Sequence, residues 1–342
     1  MLGAADQGLI YAVLALGVFL TFRILNFADL TVDGSFTAGT ATCAILIFNG
    51  VSPVVATLAG MVAGACAGAL TGLLHTKCHI DPLLSSILVM LAMYSINTHI
   101  MWLGKDGVQR STVPLLGKTT IFTWLVNHRF RGTWTSVGCI AIGVVVMVLL
   151  VNWYLGTKFG LAVMATGDNP GMASALGINT DLTKIVTLMV SNGLVGLTGA
   201  VWAQYVGSSA VGDGTGMILI GLASVILGNA IFGTRYVWLM TVGVVVGSVL
   251  YRVVIYYALQ ASFISDVDMK LISAVIVVIA LVLSQSKGAN ALVTKLTPWR
   301  KKDAPEPMTV APNQFSPFAE VDAATQNAST SVPVHTSDGG VA

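Results

Sequence analysis

The sequence predicts an all-α membrane protein, a polytopic helical bundle of about eight or nine spans in which short or broken helices line a pathway. Hydrophobic residues make up 55% of the 342 residues and charged residues only 9%, with a mean hydropathy of +0.82. A soluble domain carries roughly 25% charged residues. Several apolar runs also reach about 20 residues, the length that crosses a bilayer as a helix. Lipid is therefore the expected solvent for most of this chain.

Nine apolar stretches follow one another along the chain. They cover residues 8–24, 36–48, 54–74, 83–103, 137–155, 185–206, 217–232, 237–259 and 269–284. No basic residue precedes the first stretch, which favours a retained span over a cleaved signal peptide. The second stretch is short and the seventh is rich in glycine. Either is a candidate half-helix or re-entrant segment, which membrane proteins tolerate where it lines a cavity.

The positions of lysine and arginine predict the orientation of the spans. A basic cluster in residues 295–302 follows the last span and places the C-terminal tail in the cytoplasm, so that counting back nine spans puts the N-terminus outside. The basic loop 104–133 then lies outside, against the general rule. The chain divides into a transmembrane domain, residues 1–286, and a tail, residues 287–342, whose composition predicts a disordered cytoplasmic segment.

The third span carries a regular series of glycines. Gly60, Gly64, Gly68 and Gly72 follow each other at intervals of four residues and therefore share one helix face. Small residues allow helix backbones to approach closely in a membrane. This face should pack tightly against a neighbouring helix, which the sequence leaves open as part of the same chain or of a second copy.

Polar residues follow the first span. Asp29 and Asp33 lie four residues apart, with Asn26 just before them. Ionisable groups at membrane depth are costly and commonly face a cavity or a partner, which would place these side chains on a pathway. Alternatively they lie at the cytoplasmic interface, where Asp33 or Ser35 caps the next helix and the carboxylates pair with Arg23.

A second polar passage, residues 204–216, lies beyond the sixth span. It opens with Gln204, contains Asp213 and is loosened by several glycines. A glycine-rich interruption of a hydrophobic region is typical of a translocation site. A plain extracellular loop would have the same composition, so both interpretations stay open.

The cytoplasmic segment of about residues 156–184 contains a self-contained short helix. Asp168 or Asn169 can cap its beginning, with Pro170 at the first helical position. Gly177 can close it in the left-handed conformation. Such a capped helix between two spans predicts a docking element for a cytoplasmic partner, and an ordinary surface loop is the alternative.

The sequence shows no constellation typical of an enzyme. It has no complete nucleotide-binding loop, no metal-ligand spacing among its His and Cys residues and no nucleophile motif. We therefore expect no catalytic residue, no metal site and no cofactor in this chain. A formal net charge of +2 gives no indication of a nucleic-acid partner.

Several of these segments resemble one known family. Residues 23–34 resemble the first-span exit of branched-chain amino acid permeases, through the run Leu25-Asn26-Phe27-Ala28-Asp29. Residues 166–179 resemble the cytoplasmic coupling segment of the same superfamily. Residues 190–197 and 220–228 are similar to the branch labelled tryptophan/tyrosine transporter permeases. The resemblance covers about residues 5–285 and leaves out the tail.

The resemblance implies a multi-pass permease subunit of an ATP-binding-cassette importer in the bacterial cell membrane, working as a homodimer. A separate cytoplasmic ATPase subunit would hydrolyse ATP, and an extracytoplasmic solute-binding protein would deliver an amino acid or a related compound. The residues that match the coupling segment by position are Gly167, Asp168, Asn169, Ala173 and Gly177.

The substrate pathway is a separate prediction, made from polarity and not from the resemblance. Six residues are assigned to it: Asn26, Asp29, Asp33, Asn97, Gln204 and Asp213. The rival hypothesis is a secondary transporter driven by an ion gradient, which should show inverted repeats and buried charge relays. No clear repeat is visible in the sequence, and buried carboxylates are few.

Overall fold

The computed structural model describes residues 2–104, 108–123, 134–233 and 236–259, together with positions 275 and 278. Contacts divide the chain into two units, Met1–Val293 and Thr294–Ala342, and every described residue belongs to the first. The domain boundary at residue 286, the disordered tail and, apart from those two positions, the ninth span lie outside the described residues and stay predictions.

The described residues form ten α-helices and one pair of short strands. In chain order they are α1 Leu2–Val18, extended by a π-helical turn Phe19–Ile24, α2 Thr31–Phe48, α3 Pro53–Lys77, α4 Pro82–Met101, β1 Thr112–Pro114, α5 Trp134–Gly156, α6 Lys158–Asp168, α7 Pro170–Ala175, α8 Thr180–Val206, β2 Ser208–Ala210, α9 Met217–Phe232 and α10 Val237–Leu259. Seven helical stretches are long and apolar enough to cross a membrane, and α9 is a shorter apolar helix. The predicted polytopic helical bundle with short helices is confirmed.

The long helices expose apolar side chains on their outer faces. Leu91 of α4 is 61% exposed, and Ile142 of α5 is 69% exposed. A water-soluble fold would not leave such faces uncovered, whereas lipid solvates them well. The chain is therefore a multi-pass membrane protein, as the sequence predicts.

Two ends of the bundle can be told apart by their contacts. At one end the C-termini of α2 and α4 meet, where the Asn49 Nδ2 donates to the Leu103 carbonyl at 3.2 Å. The antiparallel strands β1 and β2 pair through Thr112 opposite Ala210. At the other end Lys77 of α3 lies 3.9 Å from Asp181 of α8. The predicted orientation makes the second end cytoplasmic.

Helix α8 runs through the centre of the bundle. It packs against α2 and α3, and its Gly196 touches the backbone of both helices, at Gly39 and at Gly64. On its other side lies the main apolar core, whose largest buried side chains include Tyr11, Phe19 and Phe36. A helix surrounded in this way can hold polar side chains away from lipid.

Helical structure extends beyond the apolar stretches of the sequence in two places. Helix α2 begins at Thr31, although its apolar stretch begins only at Phe36. The connection after α5 is largely helical, because α6 occupies Lys158–Asp168. Both helices contain polar residues that find partners in the folded chain. The Thr31 hydroxyl, for example, lies 2.7 Å from that of Thr71.

Candidate functional site

The chain re-enters the bundle after α1. Residues 25–30 lead from the π-helical turn back to the start of α2. Asp29 in this passage is fully buried. Its Oδ1 accepts a hydrogen bond from the Thr31 N–H at 2.9 Å, and its Oδ2 accepts one from the Asn192 Nδ2 at 2.7 Å. Since Asn192 lies near the middle of α8, Asp29 is inside the bundle and not at its cytoplasmic edge.

Asn192 joins the re-entrant passage to α2. Its Oδ1 accepts a hydrogen bond of 2.7 Å from the Ser35 hydroxyl, while its Nδ2 donates to Asp29. One amide thus uses both of its ends on groups near the beginning of α2. A buried amide without partners would be costly, so this arrangement fixes where α2 starts against α8.

Asp33 of α2 caps the beginning of α9. Its Oδ2 accepts from the Gly216 N–H at 2.8 Å, and its Oδ1 accepts from the Ile218 N–H at 2.9 Å. The backbone of Gly214 also packs directly on the Asp33 carbonyl. A helix N-terminus carries partial positive charge and orphan N–H groups, so a carboxylate there is stabilising.

The two helix beginnings lie at membrane depth. Gly34, next to Asp33, packs against Met90 and Met93, which lie near the middle of α4. From this level α2 runs toward the strand end of the bundle. Helix α9 runs the other way, since its Gly228 packs on Gly243 of α10 close to the cytoplasmic side. Helix α2 and the shorter helix α9 therefore meet with their N-termini inside the bundle.

Asp213 and Asn97 border the same junction. The Asp213 Oδ2 accepts from the Ala210 N–H at 2.8 Å and so ties the α9 entry to β2. Burial raises the pKa of the Asp213 carboxyl above its usual value, and the Ala210 hydrogen bond opposes this only in part. The Asn97 Nδ2 donates to the Gly34 carbonyl at 3.0 Å. Its Oδ1 is buried without a hydrogen-bond partner among the described residues.

The remaining two predicted pathway residues lie elsewhere. Asn26 is exposed and has a positive φ of 53°, in the turn that leaves the π-helical end of α1. Gln204 is buried near the outer end of α8, where its Nε2 donates to the Thr57 hydroxyl at 2.7 Å and its Oε1 accepts from the Ile121 N–H at 3.0 Å. The junction therefore gathers Asp29, Asp33, Asn97 and Asp213 but not these two.

Replacing Gln204 by leucine tests whether its hydrogen bond to the Ile121 N–H holds the outer loop against α8. The change removes the hydrogen bonds of Gln204 to the buried Thr57 hydroxyl and to the Ile121 N–H, which should lower the free energy of unfolding by about 1–3 kcal/mol. The matched control is Asn49→Ala, which removes an exposed hydrogen bond and should cost less than about 0.5 kcal/mol. Thermal unfolding of the purified chain measures both changes. Equal effects in the two variants would contradict the view that Gln204 holds the outer loop against α8.

The glycine series of α3 faces α8 of the same chain. Gly60 packs on Ala200, Gly64 and Gly68 on the Asn192 region and Gly72 on Ile185. The close neighbours are mostly backbone atoms, which leave no room for a side chain. The sequence left open whether this face packs on a helix of the same chain or on a second copy. In the structure it packs on α8 of the same chain.

The predicted coupling segment folds as two short helices. The Asn169 Oδ1 accepts from the Met172 N–H at 3.0 Å and so caps α7, with Pro170 at its first position. Asp168 is the last residue of α6. Gly177 adopts the left-handed conformation with a φ of 83°, as the sequence predicts.

This segment is anchored on one side and exposed on the other. Gly167 packs on the Ile24 carbonyl, and Ala173 is fully buried. Met172 and Leu176 are 51% and 70% exposed. Gly167 connects the segment to the π-helical end of α1, directly before the re-entrant passage. A contact on the exposed side therefore has a short physical route to Asp29.

Sequence reasoning missed two polar residues inside spans, Asn192 and Arg252. Both are buried in the folded chain. Their signal was available, because a polar or charged side chain within a span commonly marks a functional site. Their interaction partners lie on other helices and could not be identified from the sequence.

Comparison with known proteins gives a consistent result. A family described as the permease component of branched-chain amino acid transport systems matches residues 1–288. A tyrosine transport system permease protein of Clostridioides difficile is 38% identical over 81% of this chain and 89% of its own. An uncharacterised protein of Rickettsia prowazekii is 30% identical over 68% of this chain and 78% of its own.

A third relative matches only in part. The autoinducer 2 import system permease protein of Salmonella typhimurium is 36% identical over 95 residues, which is 27% of either chain. No solved structure matches the chain.

Proposed function

The chain belongs to the family of permease components of branched-chain amino acid transport systems, and from that premise we propose that it forms the translocation pathway of an ATP-driven importer for an amino acid or a related small solute. The tyrosine transport permease of Clostridioides difficile supports an amino acid as the solute. The partial relative named as an import system permease supports the inward direction. Energy would enter through a separate cytoplasmic ATPase subunit.

The junction of α2 and α9 is the observation that carries this proposal. Transporters commonly bind their solutes where discontinuous helices end near the middle of the membrane. Here two helix N-termini meet around Asp33, with Asp29 and Asp213 close by. Breaking two helices in a bilayer is costly unless the freed backbone groups find partners, so this arrangement favours a transport role over a purely structural one.

The α6–α7 segment supports the proposed ATPase contact. It presents Met172 and Leu176 at the cytoplasmic end while Gly167 and Ala173 hold it against the bundle. Exposed apolar side chains outside the lipid-facing surface are typical of protein interfaces. Binding and release there would move the end of α1 and, through it, the re-entrant passage.

The proposed assembly has further members. We place a second copy of this chain beside the first as a homodimer, because the family resemblance implies two ATPase subunits. An extracytoplasmic solute-binding protein would dock at the end that carries β1 and β2. The basic side chains Arg110 and Lys118 at that end would complement an acidic surface on the binding protein.

Leu176→Asp tests the ATPase contact without disturbing the bundle. The side chain is 70% exposed, so the free chain should fold normally. A buried charge at a central interface position commonly costs about 2 kcal/mol or more, so we expect co-purification of the proposed ATPase subunit to fall roughly tenfold or more. Native mass spectrometry of the wild-type complex measures the ratio of this chain to the ATPase subunit.

The matched control is Leu116→Asp, which places the same charge at the opposite end of the molecule. Leu116 is 89% exposed, and this variant should retain the ATPase. Loss of the ATPase in both variants, or in neither, would argue against docking through the α6–α7 segment.

An ion-gradient-driven carrier is the second candidate, and buried Asp29 is the observation in its favour. A carboxylate enclosed by Thr31 and Asn192 could exchange a proton during transport. Solute uptake into liposomes that contain this chain alone, driven by a proton gradient, would support the carrier and remove the need for an ATPase.

A further inference from the structure

His75 lies where α3, α8 and the re-entrant passage meet at the cytoplasmic end of the bundle. Its Nδ1 lies 2.8 Å from the Ile80 carbonyl oxygen, and its Nε2 lies 3.2 Å from the Lys184 Nζ. Its ring stands edge-on to the ring of Phe27, with 5.2 Å between the ring centres. One partly buried side chain therefore contacts α8, the turn after α3 and the passage that leads to α2.

The two polar partners of His75 fix the protonation state of its ring. A carbonyl oxygen can only accept a hydrogen bond, so the Nδ1 must carry a hydrogen and donate to Ile80. An ammonium can only donate, so the Nε2 must keep its lone pair and accept from Lys184. The geometry is therefore that of a neutral imidazole. A protonated ring would carry hydrogens on both nitrogens and could no longer accept from Lys184.

The other charged groups near His75 offer its ring no counterion. The ionisable side chains of the described residues on the surrounding elements are Lys184 and Asp181 of α8, Lys77 and His79 at the end of α3, Asp81 before α4, Asp29 in the passage and Arg23 in the π-helical turn. The three carboxylates have other partners, and none of them forms an ion pair with His75. A positive charge on the ring would therefore meet the Lys184 ammonium alone, and like charges repel.

Phe27 connects this histidine to the beginning of α2. Its side chain is buried, and it lies four residues before Thr31, the first residue of α2. Thr71, one turn before His75 on α3, places its hydroxyl 2.7 Å from that of Thr31. Helix α3 thus holds the re-entrant passage twice, through a pair of hydroxyls at its end and through the His75 ring nearer its middle.

Lys184 connects the same histidine to the α6–α7 segment. Only residues 176–179 separate α7 from α8, and Lys184 lies in the first turns of α8. A displacement of α7 would move these turns and the ammonium with them. Contacts from Lys184 through His75 to Phe27 therefore form a second physical connection between α7 and the passage, beside the packing of Gly167 on the end of α1.

We propose that His75 is a proton-sensitive positioning residue for transport. In its neutral form it joins Lys184 of α8 to Phe27 of the re-entrant passage. When a proton from the cytoplasm binds the Nε2, the hydrogen bond to Lys184 is lost, two positive charges face each other and the passage loosens. Histidine suits this role because its side chain changes charge close to neutral pH. The inference rests on the proposed transport function and adds a regulation to it, in which an acidic cytoplasm slows transport.

The test measures amide hydrogen exchange of residues 25–30 in the purified full-length chain in lipid nanodiscs, without ATPase or solute. The Leu25 and Phe27 N–H groups donate to backbone carbonyls, so their exchange reports opening of the passage. Rates are compared at about pH 8 and about pH 5.5, which span the range in which histidine changes charge, after correction for the intrinsic pH dependence of exchange. We expect corrected exchange to be roughly tenfold faster at the acidic pH, the effect of losing one hydrogen bond to a charged group.

Three substitutions separate the proton from the side chain that binds it. His75→Gln keeps a donor for Ile80 and an acceptor for Lys184 but takes up no proton, so its exchange should equal the slow wild-type rate at both pH values. His75→Leu loses both hydrogen bonds and should exchange roughly tenfold faster at both pH values. Lys184→Met removes the donor and the opposing charge, so it should exchange faster than wild type at the higher pH and lose most of the pH dependence.

His79→Asn is the matched control. His79 is an exposed histidine four residues from His75, and its Nδ1 lies 3.2 Å from the Lys77 carbonyl oxygen. Its backbone φ is 56°, a conformation that asparagine tolerates. This variant should keep the wild-type rates and the full pH dependence. The proposal is overturned if wild-type residues 25–30 exchange at the same corrected rate at both pH values, or if His75→Gln keeps the wild-type pH dependence.

Solute uptake by the complete reconstituted transporter then tests the effect on transport. With the cytoplasmic side set to the same two pH values, uptake should fall severalfold at the acidic pH for the wild type and stay constant for His75→Gln. Equal pH profiles of these two proteins would refute the regulation. Absence of uptake at either pH would count against the proposed transport function, whereas the exchange experiment, which needs no ATPase, would still decide the role of His75.

Discussion

Replacing Gly64 by leucine should prevent stable folding of the bundle. A Cβ at this position would meet the Asn192 carbonyl and the backbone of Gly196, with the Gly196 Cα at 2.9 Å. These are backbone atoms in the middle of α8 and cannot turn aside as a side chain would. Overpacking of a core commonly lowers the free energy of unfolding by about 1–3 kcal/mol. Because the added side chain would meet the rigid backbone of two residues, we expect a loss of about 3 kcal/mol or more.

The effect would appear as loss of monodisperse protein on size-exclusion chromatography and a large fall in the unfolding temperature. Gly138→Leu provides the matched control, because nothing lies within 4 Å of a Cβ built at that exposed position of α5. It should leave the unfolding temperature within error or raise it, since leucine is a much better helix former than glycine. Similar behaviour of the two variants would mean that α3 and α8 do not pack as described.

The second large effect is expected at Asp33. Asp33→Ala removes the acceptor of the Gly216 and Ile218 N–H groups and leaves the N-terminus of α9 uncapped inside the membrane. Each buried donor left unsatisfied costs about 1–3 kcal/mol. We therefore expect solute uptake by the reconstituted transporter to be abolished and the free energy of unfolding to fall by about 2–5 kcal/mol.

Two comparison variants isolate the cause. Asp33→Asn retains one side-chain oxygen that can accept a hydrogen bond and should lie between wild type and Asp33→Ala in both measurements. Asp181→Ala removes an exposed carboxylate 3.9 Å from Lys77 and should change stability by less than about 0.5 kcal/mol. If Asp33→Ala were no more harmful than Asp181→Ala, the α2–α9 junction would have no role in transport.

The Gly64 and Asp33 substitutions destabilise the chain for different physical reasons, so different second changes could restore stability. The Gly64 variant suffers from excluded volume, so a smaller residue on α8 cannot relieve contacts that are made by its backbone. The Asp33 variant suffers from missing hydrogen bonds, which water could replace if the junction opens to a hydrated cavity. A milder effect on stability than on uptake would thus indicate that water reaches this junction.

The sequence alone determined the class of protein and much of the local structure. Composition and the length of the apolar runs predicted a helical membrane bundle, because lipid permits only backbone that satisfies its own hydrogen bonds. Asn169, Pro170 and Gly177 predicted the bounds of α7, since caps act within a few residues along the chain. The glycine series of α3 likewise predicted a close packing face.

Only the tertiary structure decided where the broken helices begin and which polar residues meet. Asp29 finds Asn192 163 residues further along the chain, and Asp33 finds Gly216 183 residues further along. A hydropathy pattern treats such residues as the end of a span, because it contains no information about partners that arrive from other helices. That is why α2 was expected to start at Phe36 and instead starts at Thr31, and why Arg252 and Tyr11 became neighbours only once α1 and α10 had packed together.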